Sequence, residues 1–151
     1  ARIVVIAGFV VGVVCSLIGS QIIGQFGPLV TLRVAIGSGL AFLLAQLLDI
    51  AVFNRFRNQG WWKAPFISTL FGATLDTATF FTIAFAAALT FLERGNDVGW
   101  ANESLPLLGI GPMVPLWVSL AFADWLVKMA LAAVALVPFR VIVSNLTEKV
   151  A

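Results

Sequence analysis

The chain has 151 residues, 61% hydrophobic and 11% charged, with a net charge of only +2. A soluble domain carries roughly 25% charged residues, so this chain lacks the polar surface of a water-facing globule and reads as an all-α integral membrane protein. The small net charge gives no basis for nucleic-acid binding, and the absence of histidine excludes Ser-His-Asp catalysis, HExxH zinc sites and imidazole relays.

Apolar runs of ~20 residues mark bilayer spans, and the length accommodates a single domain, residues 1–151, with four of them. The first runs from about Ile3 to Ile23 without a charge. It is too long for a signal peptide and lacks an A-x-A-like cleavage site. Gly8 and Gly12 give it a small-xxx-small pattern suited to close helix approach. Cys15, the single cysteine, excludes an intrachain disulfide and reads as a small buried hydrophobe. Gln25 to Pro28, with Gly24 and Gly27 as breakers, predicts a tight turn.

The second span covers about Val30 to Phe53 and ends in Arg55 and Arg57. Trp61, Trp62 and Lys63 follow as an interfacial aromatic belt beside a cation. The third span covers about Pro65 to Leu92, with Pro65 in its first turn, where the missing N–H does no harm. Glu93 to Gly111 reads as a polar, Gly-rich extramembrane loop. The fourth span covers about Val114 to Val137, and Pro138 is expected to end or kink it. Arg55, Arg57 and Lys63 lie between spans two and three, with Arg2, Arg140 and Lys149 near the ends. The positive-inside rule then places both termini of this chain in the cytoplasm.

Ionisable groups within spans cost ~2.5–3.5 kcal/mol each on insertion scales and are functional-site candidates by default. Arg33, Asp49, Asp76, Asp124 and Lys128 qualify, joined by Gln46. Gln46 and Asp49 share a helix face, ~13 and ~9 Å inside the boundary marked by Arg55. Asp76 lies ~16 Å deep with no cation at i±3 or i±4, so its partner must be another helix, water or a ligand. Asp124 and Lys128 are four apart in the favourable order for an intrahelical ion pair. Arg33, near the outer end of its span, reads either as snorkelling to the interface or as an ion-pair or coupling residue. Phe80 and Phe81 are candidates for stacking on a flat ligand.

Several segments together resemble a known family: Arg33-Val34-Ala35, Ala45-Gln46-Leu47-Leu48-Asp49, Val52-Phe53-Asn54-Arg55, Trp61 to Pro65, Ser68 to Gly72, Asp76-Thr77 and Phe80 to Phe85. With Asp124 and Lys128 ahead of Pro138, they closely resemble the queuosine-precursor transporters of the bacterial inner membrane, also grouped as vitamin uptake transporters. The resemblance implies a fold of about six helices, with further segments before Ala1. It also implies uptake of 7-cyano- and 7-aminomethyl-7-deazaguanine.

For such a base, Asp76 is expected to accept the adjacent N1–H and exocyclic amine with two oxygens. Gln46 would donate to O6, Phe80 or Phe81 cover the ring, and Thr77 line the same site. Asp49 is the alternative, holding the aminomethyl cation. The expected partners are the substrate and membrane lipid, and a homo-oligomer stays open. No cofactor or metal is expected. The competing reading is a substrate-binding membrane component energised by a separate ATPase. An intramembrane enzyme is disfavoured by the missing histidines.

Overall fold

A computed structural model describes residues 2–25 and 27–148 of the chain. Phe26, in the first predicted turn, and Lys149, used in the orientation reading, lie outside the described residues. Four helices form the body: α1, Arg2–Gln21; α2, Leu32–Phe56; α3, Lys63–Phe85; and α4, Leu116–Glu148. All four are long and apolar enough to cross a membrane, so the protein is an all-α, multi-pass membrane protein.

The α2–α3 contact is the most extensive, and α3 also packs on α4 and α1 on α2. Small residues explain the close fit of α2 and α3. Gly37, Ala41 and Ala45 recur every four residues on α2 and are buried, as are Ser68, Gly72 and Ala84 on α3. A Cβ at Gly37 would lie 3.3 Å from the Phe80 carbonyl oxygen, and one at Gly72 would lie 3.6 Å from that of Ala45. In lipid, such backbone approach supplies the packing that hydrophobic burial supplies in water. The Gly8/Gly12 pattern is only half used. A Cβ at Gly8 would touch the Phe42 ring at 3.5 Å, whereas one at Gly12 would meet nothing within 4 Å among the described residues. Cys15, expected to be buried, is exposed because no helix covers that face of α1 among the described residues.

The first four N–H groups of a helix lack internal partners, and α2 satisfies three of them with side chains. The Thr31 hydroxyl accepts from Val34 N–H at 3.4 Å, and the Glu93 carboxylate accepts from Leu32 and Arg33 N–H at 3.1 Å each. Helix α3 ends at Phe85, seven residues before the expected Leu92, because its last carbonyls are taken by other elements. Arg33 donates from Nε to the Ile83 carbonyl at 2.9 Å and from Nη2 to that of Ala86 at 2.7 Å. Asn102 donates to the Phe85 carbonyl at 2.9 Å. Ala86 is then extended (ψ 132°), and a 3-10 turn occupies 87–92.

Helix α4 does not end at Pro138 but continues to Glu148. Beyond the proline it is held to the α2–α3 turn, with Phe139 6.5 Å from Trp61 and the Arg140 guanidinium 5.8 Å above the same indole. Two short antiparallel pairs complete the fold. Strand β1 (Ile23–Gly24) pairs with β2 (Gly27–Pro28) in the first turn, where Gly27 adopts φ +114°. Strand β3 (Ser104–Pro106) pairs with β4 (Met113–Pro115) just before α4.

Candidate functional site

The charged residues of α3 and α4 meet in one cluster. The Lys128 ammonium lies 2.7 Å from Oδ2 of Asp76 and 2.5 Å from Oδ2 of Asp124. The Thr77 hydroxyl donates to Asp124 Oδ2 at 2.7 Å and receives from Lys128 at 3.0 Å. Asp124 and Lys128 come together because four residues bring side chains onto one helix face. Asp76 reaches the same cation from α3, which supplies the interhelix partner that its own helix lacks.

Two features of this cluster have chemical consequences. One ammonium faces two carboxylates, leaving an excess of one negative charge, and each acid uses Oδ2 while Oδ1 has no hydrogen-bond partner among the described residues. The three charged side chains also remain about a third exposed, at 31–34%. The cluster is thus an open acidic face between α3 and α4. Trp125 fastens the α4 side, donating from Nε1 to the Thr74 hydroxyl at 2.9 Å.

Asp49 arrives from α2. It packs at Gly72, where a Cβ would lie 3.6 Å from Asp49 Oδ1. Gly72 precedes Asp76 by four residues, one turn or ~6 Å along the same face of α3. Gln46, one turn before Asp49, is half-buried. Neither Gln46 nor Asp49 makes a side-chain hydrogen bond among the described residues. Phe80 and Phe81 lie toward the outer end of α3. They meet edge to face at 5.2 Å and join Phe85 and Trp100 in an aromatic cluster.

Arg33 stands apart from this group. It does not snorkel: it is fully buried, bound to the end of α3, and its Nη1 has no hydrogen-bond partner among the described residues. Glu93, Asn102 and Trp125 also position the site's helices, and sequence reasoning missed them. Glu93 lies 60 residues from the backbone it caps, so no local spacing could have signalled it. The small residues at 37, 41 and 45 were readable as a four-residue repeat.

Among proteins of known family, the chain matches the model described as "Putative vitamin uptake transporter" over residues 1–143. It is 34% identical over 118 residues to the "Queuosine precursor transporter" of Escherichia coli (strain K12), covering 78% of this chain and 44% of the relative. It is 35% identical over 114 residues to the "Probable queuosine precursor transporter" of Haemophilus influenzae, covering 75% and 40%. This chain spans about two fifths of the length of these relatives. No solved structure matches it. With a family match over nearly all its length and four helices able to cross a membrane, the chain belongs to the vitamin uptake transporter family, a family of transporters rather than enzymes.

Proposed function

We propose that the protein takes up queuosine precursors, 7-cyano- and 7-aminomethyl-7-deazaguanine, across the bacterial inner membrane, with both ends of this chain cytoplasmic. The observation that carries this reading is the pair of carboxylates sharing one ammonium on an open face within the spans. An uncompensated carboxylate in low dielectric is costly, so such a face favours a ligand that brings hydrogen-bond donors or positive charge.

A 7-deazaguanine brings the donors, and its 7-aminomethyl form the positive charge as well. Its N1–H and exocyclic amine are adjacent donors, which Asp76 accepts with the unbonded Oδ1 and the remaining lone pair of Oδ2. Gln46, without an internal partner, donates to O6, and Thr77 lines the floor. Phe80 or Phe81 covers the ring. Asp49 and the excess charge beside Asp124 receive the aminomethyl cation. Lys128 keeps the two acids from repelling each other while the site is empty. Adenine is rejected because its edge leaves the carboxylate unpaired.

The test is uptake of a labelled 7-deazaguanine precursor by cells expressing the protein, with guanine-like and adenine competitors. Uptake blocked by 7-deazaguanines and untouched by adenine supports the reading. Normal uptake by Asp76→Asn overturns the assignment of that residue.

A further inference from the structure

The loop between α3 and α4 divides sharply. Residues 93–103 carry Glu93, Arg94, Asp97 and Glu103, whereas 104–123 carry no charge at all. The uncharged part opens with the β3–β4 hairpin, whose tip, residues 107–112, was expected to be part of a polar loop. Its side chains are apolar and point outward: Leu105 is 40% exposed, Leu108 47%, Met113 62% and Ile110 96%.

The hairpin also folds back along α4. Leu108 N–H reaches the Ser119 hydroxyl at 3.4 Å, so the tip lies level with the fourth residue of α4. That is ~4.5 Å past Leu116 along the helix axis, and Leu116 begins the membrane-crossing stretch. Three of the tip's N–H groups are satisfied within it. Leu107 N–H donates to the Pro112 carbonyl, and Ile110 and Gly111 N–H to that of Leu107. Pro106 and Pro112 have no N–H to satisfy. The chain accepts a strained conformation to close this turn, with Leu108 at φ +51° and Gly109 at φ +84°.

We propose that the β3–β4 hairpin is a re-entrant apolar wedge seated in the bilayer at the boundary of headgroups and acyl chains, beside the outer end of α4. Lipid is the occupant that the observations favour. Irregular backbone enters a membrane only when its polar groups find protein partners. Four of the tip's five N–H groups do so, three within the hairpin and that of Leu108 on Ser119 of α4. A water-facing loop would need neither the internal bonds nor four outward apolar side chains. The wedge fixes the depth of α4, and with it the depth of Asp124 and Lys128, about two and three turns past Leu116.

The test uses the purified protein in phosphatidylcholine vesicles. In a Cys15→Ser background, Ile110→Cys and, as the polar control, Asp97→Cys are each labelled with an environment-sensitive fluorophore. The wedge predicts loss of emission from the label at 110 with nitroxides placed shallowly on the lipid and protection from aqueous iodide. The label at 97 shows the reverse. Quenching at 110 by iodide as strong as at 97 overturns the proposal. Protection at 110 from both quenchers also overturns it, since protein then covers the tip. Met113→Cys gives the same readout if the label at 110 prevents folding.

Discussion

Arg33 offers the sharpest energetic test of how this bundle is held. Its guanidinium is fully buried and makes two hydrogen bonds, at 2.9 and 2.7 Å, to carbonyls at the end of α3. Bonds from a charged donor contribute ~1.5–3 kcal/mol each, so Arg33→Met removes ~3–6 kcal/mol of interaction. Relief of a buried cation with an unpartnered Nη1 returns ~1–3 kcal/mol of this. The net expectation is a loss of about 2–3 kcal/mol. Arg33→Lys keeps the charge, but a single ammonium cannot reproduce the fork that spans both carbonyls, so it falls between wild type and Arg33→Met. Reversible unfolding in mixed detergent micelles measures the series. Stability of Arg33→Met within ~0.5 kcal/mol of wild type would refute the reasoning and leave α3 ended by its own sequence.

Three further outcomes follow from the same contacts. Lys128→Met leaves two carboxylates without their shared cation and lowers stability by ~1–3 kcal/mol at this partly exposed site. Adding Asp124→Asn restores part of that loss, as a double-mutant cycle by detergent unfolding would register. At the α2–α3 contact, Gly72→Ala is tolerated within ~0.5 kcal/mol because its Cβ would meet ordinary contact distances. Gly37→Leu instead drives a side chain into the Phe80 carbonyl and Ile83 and costs ~1–3 kcal/mol in the same assay. Asp124→Asn removes the excess negative charge, so uptake of the aminomethyl precursor falls more than uptake of the cyano precursor. Equal falls for both would separate this cluster from the recognition of charge.

The spans were legible because hydropathy over ~20 residues reports burial in lipid directly. Their ends were not, because these depend on partners distant in sequence. Apolar composition continues from Ala86 to Leu92, yet α3 stops where Arg33 and Asn102 take its carbonyls. Pro138 carries a strong local signal for a helix end, yet contacts of Phe139 and Arg140 with Trp61 keep the helix running. At the site, the spacing of Asp124 and Lys128 was readable along one helix. That Asp49 packs at Gly72 is a product of the small residues between α2 and α3, whereas Lys128 meets Asp76 across the α3–α4 contact, where Trp125 also bonds to Thr74. Of the two Arg33 readings, snorkelling failed in a specific way. A long cationic side chain near a span end normally reaches water, but here the end of α3 supplies carbonyls closer than the interface.

Under the proposed function, 7-deazaguanine bases reach the cell through the carboxylate face of α3 and α4. The most direct measurement is the queuosine content of tRNA in cells unable to make the precursors, fed traces of each and expressing either the wild-type protein or Asp76→Asn at equal membrane levels. The account predicts precursor-dependent queuosine with wild type and its loss with Asp76→Asn. Queuosine formation by both alike would contradict the site, and none with wild type at verified expression would contradict the substrate.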